Sequence, residues 1–181
     1  MATNPPKRHE QTLPAPQQDR AVIQWLLDAG ADPAIRWQVL RDLTGASPED
    51  VAAERARVAT AGWGARLRAL QGTGGAWGGT AWNQGWDSTT HVLTLLRELG
   101  RDPASAAARR AVGLVRERVR WMGWDWDGTW RGEDFVGNPF FAGEVEPCIN
   151  GQVAASGAYF GCVADLQRIM GLLLAEQLPA R

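Results

Sequence analysis

The groups best suited to chemistry lie between Trp121 and Glu146. This segment holds Asp125, Asp127, Glu133, Asp134, Glu144 and Glu146 against a single base, Arg131, and is also rich in tryptophan. It runs without a helical pattern for longer than most connections do, and long ordered loops often carry function. Asp125 and Asp127 stand two apart in Trp124-Asp125-Trp126-Asp127-Gly128, and Glu144 and Glu146 stand two apart just ahead of Pro147. Any chemistry is expected among these four carboxylates, beside Trp82, Trp86, Trp124 and Trp126. Plainer accounts compete. Glu144 and Glu146 sit where a carboxylate can serve a helix dipole. The acidic loop can also neutralise Arg101, Arg109, Arg110, Arg116, Arg118 and Arg120. Outside the first eighteen residues, His91, Cys148 and Cys162 are the only His and Cys, and no C-x-x-C or H-x-x-x-H spacing is present. No metal or other cofactor is expected from these residues. A Ser/His/Asp arrangement, a D-D-x-x-D motif and a phosphate-binding G-x-x-x-x-G-K-[ST] loop are absent from the sequence.

Short helices would have to carry these groups. Asp32-Pro33, Ser47-Pro48 and Asp102-Pro103 each put a capping side chain before a proline suited to the first helical turn. Gly30, Gly45, Gly62, Gly72, Gly100 and Gly161 stand where helices should stop. This punctuation predicts helices at 19–29, 33–44, 48–60, 63–71, 88–99, 103–120, 147–160 and 163–178. Apolar stripes at helical spacing agree with it: Val92, Leu95, Leu96 and Leu99 form one, and Ala108, Ala111, Val112, Val115 and Val119 another. Strand alternation is absent, so the chain is predicted to be all-α, built of paired helices.

Between two of these helices lies a glycine-rich turn in which Gln71, Gly75 and Trp77 read Q-x-x-x-G-x-W. A Gln amide at a helix end can bond backbone groups freed by the turn while an indole packs over it. Gln71 is therefore expected to bond within its own turn, with Trp77 beneath. A looser second copy has Trp124 in place of the Gln, and Gly128 and Trp130 in place of Gly75 and Trp77.

The turn resembles the QW repeat of the squalene–hopene and terpene cyclases, which share an α/α-toroid fold with the protein prenyltransferase β subunits. Gly143-Glu144-Val145-Glu146-Pro147-Cys148-Ile149-Asn150-Gly151 and Tyr159-Phe160-Gly161 are similar to a block of bacterial cyclase-like toroid proteins of unassigned activity. The resemblance covers roughly residues 20–181. It implies a partial α/α toroid of about eight helices, with 88–99 and 147–160 inside and 63–71, 103–120 and 163–178 outside. It also implies acid-initiated cyclisation of an isoprenoid or other apolar substrate. In that reaction an aspartic acid protonates an alkene in a water-poor pocket, and aromatic faces hold the cation, each contributing about 1–2 kcal/mol. The family's acid motif is D-x-D-D, and here Gly128 stands in its last place. The prenyltransferase side of the fold implies zinc held by Asp, Cys and His, for which His91, Cys148 and Cys162 would be candidates. Three readings follow: a cyclase-like enzyme, a catalytically silent module binding a lipid or protein, and a zinc-dependent prenyltransferase-like protein.

Composition bounds these readings. The 181 residues suit one main domain, and a net charge of −1 gives no reason to expect nucleic acid as partner. Two cysteines make no disulfide framework and fit a reducing cytoplasm. No apolar run is long enough to span a bilayer. Tryptophan is the outlier, with ten against one Tyr and four Phe. Residues 1–18 read as a disordered proline-rich tail, 19–62 as a helical-repeat-like segment and 63–181 as the toroid portion. An incomplete toroid would expose apolar surface, so a two-fold dimer covering the open edge is expected, unless the chain is part of a longer protein.

Overall fold

The computed structural model describes residues 15–82, 85–125, 127–132 and 135–175. Among them are α1 (Ala15–Leu26), α2 (Pro33–Leu43), α3 (Pro48–Arg57), α4 (Gly62–Ala69), α5 (Thr89–Glu98) and α6 (Ala106–Arg118). A small antiparallel pair follows, β1 (Arg120–Trp121) with β2 (Asn138–Pro139), then a 3-10 turn at Phe140–Ala142. The last elements are α7 (Pro147–Tyr159), a second 3-10 turn at Val163–Leu166 and α8 (Gln167–Ala175). The protein is mostly helical, as the punctuation predicts, and no described helix is long and apolar enough to cross a membrane.

Side-chain caps set several of the helix starts. Asp32 accepts the Ala34 N–H at 2.9 Å and Ser47 accepts that of Asp50 at 3.1 Å, with Pro33 and Pro48 opening their helices. Asp32 also accepts the Trp63 N–H at 2.6 Å, so one carboxylate serves the starts of α2 and α4. The third site differs from expectation. Asp102 turns its carboxylate onto Ala104 N–H at 2.9 Å, making a turn, and Ser105 becomes the cap of α6 by accepting from Ala108. The helix predicted from 103 therefore begins at Ala106. At the other end it stops at Arg118, because Arg120 and Trp121 pair with Pro139 and Asn138. This sheet was invisible to a search for alternation, since two residues per strand carry no period. Helix α1 opens at Ala15, inside the stretch expected to be tail. Pro16 falls in its first turn, where a residue without an N–H is tolerated. Residues 1–14 lie outside the described residues.

Two apolar clusters hold the helices. The larger joins Leu93 and Leu96 of α5, Ala111 and Val115 of α6, Phe141, Val153 of α7, Leu166 and Ile169. Leu95, expected in the α5 stripe, is 44% exposed, and Leu93 is buried in its place. The smaller cluster is Ala34, Trp37 and Val58, and Trp37 ties it to the end of α5 by donating from its indole to Leu99 O at 3.0 Å.

The turn between α4 and α5 is fastened on every side. Trp77 is buried and its indole donates to Leu67 O at 2.7 Å, reaching back to α4. Its backbone N–H donates to the Thr89 hydroxyl at 3.0 Å, and that hydroxyl donates onward to Thr80 O at 2.7 Å. Gln71 donates to Gly75 O at 2.9 Å and to Ala107 O at 3.2 Å, so the same amide closes the turn and holds α6. Gly75 has φ +87°, and an added Cβ would lie 3.3 Å from Arg110 Cβ, so backbone conformation and space both select glycine there. Trp130 does not repeat this arrangement. It is 56% exposed, and meets Trp124 edge-on in a separate hairpin.

Thr89→Val leaves the buried Trp77 N–H without an acceptor and is expected to cost about 1–3 kcal/mol. Gln71→Ala, at a half-buried position, should cost about 1–2 kcal/mol. Urea midpoints measure both, and an unchanged midpoint for Thr89→Val would remove the hydroxyl from its central role.

Candidate functional site

The face of α5 that carries Thr90, His91 and Thr94 looks across to the face of α7 that carries Cys148, Ile149, Gln152 and Val153. Between them is a cavity of about 320 Å³, closed at one end by Trp82, Trp121 and Phe140. The aromatic wall is continuous. Trp121 stacks on Phe140 at 5.1 Å and meets Trp82 edge-on at 5.8 Å, and Trp82 stacks on His91 at 5.4 Å. Trp121 is fixed by its indole, which donates to Phe140 O at 2.9 Å. His91 Nδ1 lies 3.0 Å from both Gly85 O and the Ser88 hydroxyl. A carbonyl can only accept, so Nδ1 carries a proton and donates to Gly85 O.

The residues expected to carry chemistry divide sharply. Trp82 lines the cavity, whereas Trp86 is 87% exposed with its ring against His91. Trp124 meets Trp130 edge-on in the hairpin of residues 123–131, and Trp126 lies outside the described residues. Asp125 and Asp127 belong to that same hairpin. Arg131 pairs with Asp125 at 3.0 Å and with Asp127 at 3.5 Å. Asp127 Oδ1 also accepts the Thr129 N–H at 2.9 Å, and the Thr129 contacts hold this exposed carboxyl below the ordinary aspartate range. These are the bonds of a polar turn. Glu133 and Asp134 lie outside the described residues.

Glu144 and Glu146 shape the entry to α7. Asn150, fully buried, donates to Glu144 O at 2.6 Å and accepts the Glu144 N–H at 2.8 Å, while the Glu144 carboxylate accepts the Glu146 N–H at 3.0 Å. Gly143, with φ +83°, lets this loop pass: a Cβ there would lie 2.5 Å from both Asn150 Oδ1 and Ile169 Cγ1. The Gly143–Gly151 block is thus a buried amide closing a loop onto a helix start. None of the four carboxylates lines the aromatic cavity.

Sequence reasoning missed Trp121 and Phe140 as cavity walls and treated His91 only as a metal candidate. The one local signal was a polar step on each helix, with Thr90 and Thr94 four apart on α5 and Cys148 and Gln152 four apart on α7. Cys162 is buried in the core, where desolvation raises its thiol pKa, and Cys148 is exposed. Among the described residues no group of three or more His, Cys, Asp or Glu side chains could hold a metal ion. In comparisons with known proteins, the chain matches no family model, no curated protein and no solved structure.

The Asp127 shift has a definite sign. A carboxyl whose folded pKa is depressed stabilises the fold above its unfolded pKa, and loses that contribution as pH falls through the folded value. Carbon-detected NMR should therefore find Asp127 titrating below the ordinary aspartate range, and ionised at neutral pH. A midpoint near neutrality would return it to the role of proton donor.

Proposed function

We propose that the chain is a toroid-like helical module that binds an apolar small molecule of the isoprenoid class between α5 and α7. The observation that carries this reading is the aromatic wall of Trp82, Trp121 and Phe140 closing a cavity whose sides are otherwise short and weakly polar. Such faces bury apolar area and attract an electron-poor centre. Pockets for small molecules span roughly 300–1,000 Å³. A cavity of about 320 Å³ is at the small end, which favours a short isoprenoid over a triterpene.

Binding is favoured over cyclisation on chemical grounds. Alkene protonation requires a carboxylic acid at the ligand, held un-ionised in a dry site. The cavity's described lining offers an imidazole, hydroxyls, an amide and a thiol, and no carboxyl group. The zinc-dependent alternative would need donors beyond His91 and Cys148. Val163, Met170 and Leu174 are exposed along the last two helical elements, and a two-fold dimer would cover them. A monomer by light scattering at micromolar concentration would remove that dimer. The two unpaired cysteines fit a reducing compartment, so the cytoplasm is the proposed location.

Cys148 gives the test, because it is exposed yet lines the cavity, while Cys162 is buried and acts as an internal reference. Farnesol should quench tryptophan fluorescence saturably and slow alkylation of Cys148. Gln152→Trp, which places an indole at an exposed position of the lining, should abolish both effects with an unchanged circular dichroism spectrum. Alkylation of Cys148 at the same rate with and without farnesol would overturn the proposal.

A further inference from the structure

A second cavity, of about 470 Å³, opens where the Gln71 turn meets the start of α6, and it shares no lining residue with the aromatic one. Its chemistry is cationic. Arg68, Arg101 and Arg110 all line it, and none of the three forms an ion pair among the described residues. Arg68 and Arg110 are exposed, but Arg101 is only 8% exposed. Its Nη1 is sealed from solvent and has no hydrogen-bond partner among the described residues. Leaving a buried charged donor unpaired is among the costlier things a fold can do. Burial and the nearby Arg68 charge both act against the Arg101 cation, and Asp102 offsets them only in part. The Asp102 carboxylate is engaged elsewhere, on the Ala104 N–H.

The helix start adds a second attraction for negative charge. In the thirteen-residue α6 the Ser105 hydroxyl takes the Ala108 N–H and Ser105 O takes that of Arg109. The Ala106 and Ala107 amides open the helix, have no acceptor among the described residues, and belong to residues lining the cavity. A buried unpaired guanidinium, two exposed ones and two free amides at a helix N-terminus are complementary to a group with several acceptor oxygens and more than one negative charge.

We propose that this cavity binds a phosphate group, as free phosphate or as the phosphate of a small phosphomonoester. A monocarboxylate would neutralise one cation and leave two. A dianionic phosphate answers the exposed Arg68 and Arg110 guanidinium groups, the Arg101 charge and the helix start together. The cavity exceeds the volume of one phosphate, leaving room for a compact organic part beside Thr73 and Gly72.

Inorganic phosphate is titrated into the full chain at constant ionic strength, with chloride as the balancing anion, and amide resonances are followed by NMR. The expected result is a saturable shift centred on Ala106 and Ala107. Arg68→Gln and Arg110→Gln, at exposed positions, should each weaken the affinity about tenfold. Arg101→Gln should abolish binding if it folds, and Arg101→Lys should restore part of it. If Arg101→Gln does not fold, the two exposed variants decide. Tighter binding of glycerol phosphate than of phosphate would assign the remaining cavity to the organic part, and equal binding would assign free phosphate as the ligand. A linear, unsaturated response, or affinities unchanged in both exposed variants, would overturn the proposal.

Discussion

A turn that enters a core brings backbone N–H and C=O groups that no helix ladder can pair, and each must find a partner or destabilise the fold. The turn from Gln71 to Thr80 meets that requirement through two side chains. The Thr89 hydroxyl accepts from Trp77 and donates to Thr80, and the Gln71 amide donates to Gly75 O and Ala107 O. Because these partners lie on α5 and α6, satisfying the turn also positions both helices. The start of α5 sets where Thr90, His91 and Thr94 stand, and these form one side of the aromatic cavity. The start of α6 sets where Ala106, Ala107 and Arg110 stand, and these form part of the cationic one. Both cavities thus inherit their geometry from one set of buried hydrogen bonds.

The C-terminal half meets the same requirement with other residues. Asn150 pairs with both backbone groups of Glu144, and the Trp121 indole pairs with Phe140 O. Between the halves runs a third tie. Arg55 donates to Gly100 O at 2.8 Å and to the Tyr159 hydroxyl at 2.7 Å, and that hydroxyl donates to Arg101 O at 2.6 Å. The end of α7 is thereby held to Gly100 and Arg101, just beyond α5. The separation of the two helices, and so the width of the cavity between them, has a fixed point at each end: Trp82, Trp121 and Phe140 at one, Tyr159 at the other.

Local features were legible and distant ones were not. The caps at Asp32 and Ser47 and the prolines behind them lie within a few residues of what they bond, so sequence spacing reports them directly. Asp102-Pro103 looked equivalent, but Ser105 lies three residues further on and competes for the same helix start. Only the energetics of the whole turn decides between them. The candidate site fared worse for a related reason. Asp125 and Asp127 drew attention as acids, whereas Asp127-Gly128-Thr129 is also the composition of a polar turn, with its neutralising Arg131 four residues on. The cavity that the structure does contain is built from Trp82, His91, Trp121, Phe140 and Val153. Their sequence separations run from nine to several tens of residues, beyond the reach of helical or strand periods.

A sequence is consistent across levels when each local choice agrees with the fold, and departures from that consistency tend to mark function. Most of this chain is consistent. Glu54 lies between Arg36 and Arg57, Asp165 pairs with Arg116, and Asp125 pairs with Arg131. The arginines lining the second cavity depart from this, and one of them, Arg101, is buried. With twenty acidic residues against nineteen basic ones, carboxylates are not scarce, yet Arg68, Arg101 and Arg110 have none paired with them among the described residues. Folding works against Arg68–Arg101 repulsion to keep that arrangement, and buries one of the two guanidinium groups as well. A substitution of Arg101 by an apolar residue of similar length would remove both costs, because buried charges are often replaceable without loss of stability. Packing alone therefore gives no reason for a cation at this position, whereas an anion that arrives after folding does.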